Sequence, residues 1–275
     1  MLYLANSIEF VFLLQNSLLI SNSPRGEICN SAAVGFYLVN LAAYDFILNL
    51  AAHDCERNNR VRWRIQSTMN LFDFSFCVIG DVLASEEPIY NVFPKLTQII
   101  EEKGKNLGSD YTEVQPKVWV HKTANVSDRA ILCAPIIVCA GAEIRPNAFL
   151  RGSVIVGEKA VVGAACEVKN SILFSGAQVP HLSYVGDSIL GAGAHFGAGV
   201  IASNLRLDQR NVFVAFDGER TDSGLRKLGA LVGDGAQIGC NSVLCPGAVV
   251  EKYAIVKPLS CVVGTAFCNK EGDRT

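Results

Sequence analysis

The amino-acid sequence predicts an all-β fold, a left-handed parallel β-helix shaped as a triangular prism, with a short helical lead-in at its N-terminal end. From Val120 onward an aliphatic or aromatic residue recurs at every sixth position, and glycine often occupies the second position of the six. An α-helix cannot keep a period of six, and a simple strand would alternate at two. Hexapeptide repeats each form one short strand and one turn, so three repeats make one coil of about 18 residues. Such coils stack about 4.8 Å apart, as strands do in a parallel sheet.

The composition narrows the class of protein. The chain has 275 residues, half of them hydrophobic, and a formal net charge of −2. This size allows one large domain or two small ones, and the small charge gives no protein-wide attraction for nucleic acid. The ten cysteines contain no C-x-x-C motif, and the four histidines contain no H-x-x-x-H motif. We therefore expect a cytoplasmic protein with reduced thiols, most of them in the core, and no metal site.

The N-terminal segment, residues 1–68, differs from the rest of the chain, because it contains no lysine. The stretch from Ile28 to Ala52 is apolar enough to suggest a membrane helix, although an aspartate and several asparagines weaken that interpretation. The chain has only two methionines, Met1 and Met69. We hypothesise that Met69 is the natural start and that residues 1–68 are an upstream extension with little defined fold. The alternative is a genuine helical or membrane-associated extension.

Residues 69–115 form the predicted lead-in. Within them, apolar residues follow the i, i+3, i+4, i+7 spacing of one helix face, at Val92, Phe93, Leu96, Ile99 and Ile100. Gly104 suits the C-terminal end of that helix.

The β-helix is predicted over residues 116–268, with an inserted loop at 204–231 and a tail at 269–275. The repeat is interrupted twice, first after the hexapeptide that starts at Phe174. The next clear register starts at Tyr184, ten residues later instead of six, which predicts a four-residue bulge that lifts His181 and Tyr184 off the coil wall. The loop is the second interruption, and its stretch VFVAF predicts one strand of a hairpin.

The repeat also predicts which side chains share a surface. Arg145 and His181 are separated by six hexapeptides, which puts them on one face with Gly163 between them, and Arg151 and Lys169 are separated by three on the next face. This arrangement indicates a cationic shelf for a phosphorylated ligand, or else solvated charges on an ordinary coil. A histidine above such a shelf can accept a proton from an amine.

The motifs IRPNAFLRG, EVKNSILF and HLSYVGDSILGAGAHFGAGVIASN resemble the acetyltransferase domain of the bacterial bifunctional N-acetylglucosamine-1-phosphate uridyltransferase. The stretch GERTDSGLRKLGALVGDG resembles archaeal-type sugar-phosphate nucleotidyltransferases with an acetyltransferase tail. The resemblance covers about residues 69–265. It implies transfer of an acetyl group from acetyl-CoA to the 2-amino group of an amino-sugar 1-phosphate.

The resemblance further implies roles for individual residues. The general base would be His181, oriented by Glu167; the sugar phosphate would contact Arg145, Lys169, Tyr184 and His195; the coenzyme would lie along Ala198, Asn204 and Cys240. The backbone N–H of Ala198 would stabilise the thioester oxygen as negative charge develops on it. His195 departs from the family, which has an asparagine there.

The resemblance also bears on partners and on the rest of the chain. Triangular solenoids of this class usually form homotrimers with active sites between subunits, and we expect no nucleic-acid partner and no membrane contact for residues 69–275. Nothing in residues 1–119 resembles the uridyltransferase domain, so we expect no synthesis of nucleotide sugars. The arginine-bearing insertion at 204–231 is either a flexible arm that helps a neighbouring subunit hold coenzyme phosphates or a solvated loop.

Two other functions compete with acetyl transfer. The first is a non-catalytic subunit that binds or assembles with a sugar phosphate or nucleotide sugar. The second is a γ-class carbonic anhydrase, which shares the fold and needs three zinc-binding histidines. The spacing of His121, His181 and His195 does not fit that requirement.

Overall fold

The computed structural model describes residues 71–216 and 219–267. These contain a helical lead-in, a parallel β-helix of about eight coils and an inserted hairpin, which confirms the predicted fold class. The hypotheses on residues 1–68 and on the tail at 269–275 lie outside the described residues. Within the described ranges, no helix is long and apolar enough to cross a membrane.

The β-helix has three faces, and each coil contributes one strand to each face. Face 1 contains β2 (Val118–His121), β5 (Ile136–Val138), the second halves of β7 (Phe149–Val156) and β9 (Glu167–Leu173), β12 (Ile189–Leu190), β17 (Leu231–Val232), β20 (Val249–Val250) and β23 (Thr265–Ala266). Face 2 contains β3 (Asn125–Val126), β6 (Glu143–Ile144), β8 (Val161–Ala164), β10 (Gln178–His181), β13 (His195–Phe196), β18 (Gln237–Ile238) and β21 (Ile255–Val256). Face 3 contains β4 (Ile131–Cys133), the first halves of β7 and β9, β11 (Tyr184–Gly186), β14 (Ile201–Ala202), β19 (Val243–Leu244) and β22 (Cys261–Val262). All pairs within the three faces are parallel, because each coil repeats the path of the one before it.

The interior of the prism is filled by the first-position residues of the repeat. On face 2 these are stacked and buried, at Ile144, Val162, Val179, Phe196 and Ile238. Small residues at the fifth position, such as Ala160 and Ala194, are buried beside them and leave room for the larger side chains. Removal of this aliphatic ladder from water is the main stabilisation of the prism.

The coils are not all of one length, and this corrects the register predicted from the sequence. Arg151 pairs with Lys169, which is the separation expected for a coil of three full hexapeptides. Val154 pairs with Ser171, which is one residue short of that separation. The six-residue repeat therefore lacks one residue shortly before Phe174. The inward residue of that repeat is Leu173, in the prism interior, and Phe174 faces outward.

The predicted four-residue bulge at His181 is consequently wrong. β10 runs straight through this stretch, and its residues pair in unbroken register with β8: Val179 with Val162 and His181 with Ala164. The coil is one residue shorter than three full hexapeptides, not four residues longer. His181 lies at the end of a wall strand, and Tyr184 begins the next one, β11, where it pairs with Glu167.

The lead-in covers the lower part of face 1. It consists of a 3₁₀ turn (Phe74–Phe76), α1 (Gly80–Leu83), a second 3₁₀ turn (Ile89–Lys95) and α2 (Leu96–Lys105). The outward residues of face 1, such as Ile155 and Ile172, are fully buried beneath it. Phe174 contributes to this second core, with its ring centroid 5.4 Å from that of Phe72. The lead-in and the wall therefore share one apolar layer.

Gly104 is needed for packing and not as a helix cap. A Cβ at this position would lie 2.3 Å from the ring of Trp119. α2 continues to Lys105, and its backbone stays out of the left-handed region at Gly104. The absent side chain lets the helix approach the first coil closely. After α2, β1 (Tyr111–Gln115) pairs with β2 antiparallel and covers the first edge of face 1.

The insertion covers the upper part of face 1. Its hairpin consists of β15 (Phe213–Phe216) and β16 (Glu219–Asp222), which confirms the strand predicted at VFVAF. Val212 and Leu228 are fully buried in the same outer core as Val249 of the wall. The insertion thus packs on its own chain, and faces 2 and 3 carry the open surface.

Candidate active site

His181, Ala198 and Cys240 lie above one another on the edge of the prism between faces 2 and 3, which we call the catalytic edge. Gln178 pairs with His195, so the residues three positions after each, His181 and Ala198, are also neighbours. The carbonyl of His181 accepts a hydrogen bond from the N–H of residue 199 at 3.2 Å, and the carbonyl of Ala198 accepts one from residue 241 at 2.9 Å. Successive members are therefore one coil apart, about 4.8 Å.

The backbone at this edge leaves one amide free. The residue that follows each member of the stack has a positive φ, with +53° at Leu182, +77° at Gly199 and +55° at Asn241. This turn directs the N–H of Gly199 to the coil before it. The N–H of Ala198 itself donates no hydrogen bond within the described part of the chain, and Ala198 is partly exposed. An unused donor therefore lies one coil above His181.

The side chain of His181 is exposed, and its ring makes no hydrogen bond to any described residue. Glu167 is engaged elsewhere, because its Oε1 accepts a hydrogen bond from Arg151 Nε at 2.6 Å. The structure thus places Glu167 with Arg151, and its orienting role toward His181 stays a prediction of the resemblance.

Face 3 carries two cations, at its end near the corner with face 1. Arg151 and Lys169 are direct neighbours on successive coils, as the repeat spacing predicted. Tyr184 pairs with Glu167 on the same face. Burial, together with the negative charges of Asp187 and Glu167, raises the pKa of Tyr184, so its hydroxyl stays protonated and available as a donor.

Arg145 is not directly below His181, and the predicted shelf is corrected accordingly. Its guanidinium bonds to Glu143 at 3.0 Å on face 2. The residue two coils above Arg145, past Gly163, is Pro180, because the intervening coil is one residue short of three full hexapeptides. His181 is displaced by one position to the catalytic edge.

His195 also lies on face 2, between Gln178 and Gln237. It is one coil above and three residues back from His181, which separates the two backbones by roughly 10 Å along the strand direction. Within one chain, the structure does not bring His195 to the catalytic edge.

Asn204 is buried in a polar cluster at the corner between faces 3 and 1. Its side-chain amide donates to Asp187 Oδ2, and Asp187 also binds Lys169. The side chain is therefore already committed within the chain and is not free to lie along a coenzyme. The sequence patterns gave no role to Asp187. The feature that could have indicated one is its position in the VGDS stretch, which follows Tyr184, the residue matched to the family's tyrosine.

Gly186 provides the space for this cluster. A Cβ there would lie 2.6 Å from both Asn204 Nδ2 and the hydroxyl of Tyr184. The side chains of Tyr184 and Asn204 therefore meet over a position that only glycine can occupy.

The described residues contain no group of three histidine, cysteine or acidic side chains that could share a metal ion.

Comparison with known proteins places these residues in a family context. Residues 132–215 match the family model described as the GMPPB C-terminal domain. The chain is 39% identical over 156 residues to the bifunctional sugar-1-phosphate nucleotidylyltransferase/acetyltransferase of Sulfurisphaera tokodaii, which covers 56% of this chain and 39% of that protein. It is 31% identical over 248 residues to the bifunctional protein GlmU of Methanococcus vannielii, which covers 90% of this chain and 52% of the relative.

The chain thus spans about half or less of the length of these relatives. The alignment that covers 90% of the chain reaches into residues 1–68, a similarity that the sequence patterns had not indicated. Among solved structures, the acetyltransferase domain of PglB from Neisseria gonorrhoeae is 22% identical, covers 55% of this chain and 60% of its own, and has a TM-score of 0.26. PerB from Caulobacter crescentus, in complex with CoA and GDP-perosamine, is 18% identical, covers 55% of this chain and 56% of its own, and has a TM-score of 0.24.

Proposed function

We propose that the protein is an acetyl-CoA-dependent N-acetyltransferase that acts on an amino-sugar 1-phosphate of the glucosamine-1-phosphate type. One observation carries the proposal: an exposed, unbonded histidine and an unused backbone N–H lie one coil apart on the same edge. Acyl transfer to an amine needs a base for the amine proton and a donor for the oxyanion, at about this separation. The relatives' names agree with this reaction class.

The reaction would be a direct attack within a ternary complex. The amine nitrogen forms a bond to the thioester carbonyl carbon while His181 takes the proton that the amine loses. The thioester oxygen becomes an oxyanion and accepts a hydrogen bond from the Ala198 N–H. The carbon–sulfur bond then breaks, and the departing thiolate of CoA takes the proton back from His181. The products are an N-acetylated sugar phosphate and free CoA.

The phosphate of the acceptor would bind on face 3, to Arg151 and Lys169. Arg151 uses only its Nε toward Glu167, so its terminal nitrogens are available for a bidentate contact with phosphate oxygens. Tyr184 lies between these cations and the catalytic edge and would donate to the sugar. Arg151 takes the role that the resemblance had suggested for Arg145, because only Arg151 adjoins Lys169.

The coenzyme would follow the catalytic edge from Ala198 toward Cys240, whose side chain is exposed. Asn204 would support the site from within the wall.

A homotrimer with active sites between subunits would bring a neighbour against faces 2 and 3, which the chain's own lead-in and insertion leave open. His195, on face 2, would then lie toward a neighbour's site.

The test is a screen of amino-sugar phosphates with acetyl-CoA, following free thiol and the mass of the product. We expect thiol release and an acetylated product with glucosamine-1-phosphate or its epimer, and none with the N-acetylated sugar. His181→Ala should abolish release, whereas His121→Ala should not. If no amino-sugar phosphate is acetylated but one of them binds saturably, the protein is a binding subunit and not an enzyme.

A further inference from the structure

Asp187 is a buried carboxylate that holds three side chains at once. Its Oδ1 accepts hydrogen bonds from Lys169 Nζ at 3.0 Å and from Asn170 Nδ2 at 2.7 Å. Its Oδ2 accepts from Lys169 Nζ at 2.9 Å and from Asn204 Nδ2. The side chain of Asp187 is only 5% exposed. A charge so buried is tolerated because every acceptor position is filled.

The fold builds this arrangement from both directions along the chain. Asp187 sits at the corner with φ +46°, and its N–H donates to the carbonyl of Lys169 at 2.9 Å. Its own carbonyl accepts from Gly229 at 2.8 Å, and the carbonyl of Asn204 accepts from Leu228 at 3.0 Å. Both ends of the insertion therefore meet at Asp187.

The contacts with Asp187 determine which donors of the Lys169 ammonium remain available and where its charge lies. An ammonium has three N–H donors; the two carboxylate oxygens take two of them and leave one for a ligand. Lys169 is also the direct neighbour of Arg151, a like charge on the next coil. The bond to Asp187 fixes the ammonium on the face that also carries Arg151, and it offsets the repulsion expected between two like charges on adjacent coils.

We propose that Asp187 is a positioning residue for the phosphate subsite: it holds Lys169 beside Arg151, so that the two cations act as one clamp. This inference rests on the proposed function. Asp187 itself touches no substrate and acts through Lys169, with Asn170 and Asn204 fixing the carboxylate. Substrate affinity, and not the chemical step, should depend on it.

The test compares Asp187→Asn with Asp110→Asn. Asp110 also pairs with a lysine, Lys122, at 2.6 Å, but on an exposed surface far along the chain from the site. Loss of a charged hydrogen-bond partner should raise the KM for glucosamine-1-phosphate about ten-fold or more, with kcat within about three-fold and the KM for acetyl-CoA unchanged. Asp110→Asn should match wild type. If Asp187→Asn lowers only kcat or the folded fraction and leaves that KM unchanged, the positioning role is overturned.

Two further measurements test whether Asp187 positions Lys169. Lys169→Met and the double variant Lys169→Met/Asp187→Asn should have the same KM, because the aspartate has nothing left to position; additive losses would contradict the proposal. Acetic anhydride labelling read by mass spectrometry needs no turnover. Lys169 should label faster in Asp187→Asn than in wild type, relative to the exposed Lys105. An unchanged rate overturns the positioning role, whereas absent turnover with the expected labelling overturns only the proposed function.

Discussion

The ring of His181 and the backbone N–H of Ala198 occupy consecutive coils of one edge of the prism, and neither is hydrogen-bonded to a described residue. The two are joined through the turn, because the N–H next to Ala198 donates to the carbonyl of His181. Backbone geometry therefore fixes the relative position of the two main chains at this edge. Under the proposed function, this places the base and the oxyanion donor on adjacent coils of the same edge.

Arg151 and Arg145 should differ in their effect on substrate binding. Arg151→Ala removes a cation beside Lys169 and should raise the KM for the sugar phosphate about ten-fold or more. Arg145→Ala removes an arginine that lies on face 2, paired with Glu143, and should change that KM by less than about two-fold. Steady-state kinetics at saturating acetyl-CoA measure both. An equal rise in this KM in the two variants would show that the phosphate does not bind specifically at Arg151.

Gly104→Ala should destabilise the protein, because the new methyl group would overlap the ring of Trp119. Overpacking of this kind costs about 1–3 kcal/mol of the free energy of unfolding. Gly108 is the matched control, since a Cβ there meets nothing within 4 Å. Urea denaturation of the two variants measures the difference. A Gly104→Ala protein as stable as Gly108→Ala would show that α2 does not approach the first coil this closely.

Cys139 should resist alkylation in the native protein. Burial raises the pKa of its thiol to about 11, from an ordinary value of 9.0. The reactive thiolate is then about a hundred-fold scarcer at pH 8 than for an ordinary thiol, and access is also blocked. The exposed Cys133 is the comparison. Iodoacetamide at pH 8 followed by peptide mapping should label Cys133 first and Cys139 only after denaturation. Rapid native labelling of Cys139 would contradict the packing of face 1.

CoA should protect Cys240 from the same reagent. Cys240 is exposed on the catalytic edge, one coil above Ala198, where the coenzyme is proposed to lie. Saturating CoA should slow its labelling several-fold and leave Cys133 unaffected. Protection of neither residue, at a CoA concentration shown to bind, would move the coenzyme off this edge.

The sequence predicted the β-helix, the hairpin strand and the neighbouring positions of Arg151 and Lys169, because all three follow from local periodicity. It could not locate the shortened coils. The missing residue falls at a corner, where Phe174 can replace Leu173 in the count of six without breaking the hydrophobic pattern. That step produced the supposed shelf with Arg145. The supposed bulge at His181 needed a second one, because Val185 and not Tyr184 is the inward residue, and the next inward residue, Leu190, follows it one position early.

The role of Asp187 was beyond sequence reasoning for a different reason. Its partners come from the coil below, Lys169 and Asn170, and from the start of the insertion, Asn204. Each partner is one coil away from Asp187 along the chain, at 17 or 18 residues, so the repeat stacks these residues, but it does not show that their side chains turn toward one another at this corner. In the same way, the contact between Arg151 Nε and the Glu167 carboxylate, at 2.6 Å, depends on how the two side chains turn on adjacent coils.

The most direct test of the central claim is the rate of free-thiol release from acetyl-CoA and glucosamine-1-phosphate by wild type and His181→Asn. His181 is exposed and unbonded, so the substitution should leave the melting temperature unchanged. Loss of the general base should lower kcat about 10²- to 10⁴-fold. A folded His181→Asn protein with the wild-type kcat would contradict the assignment of the catalytic edge.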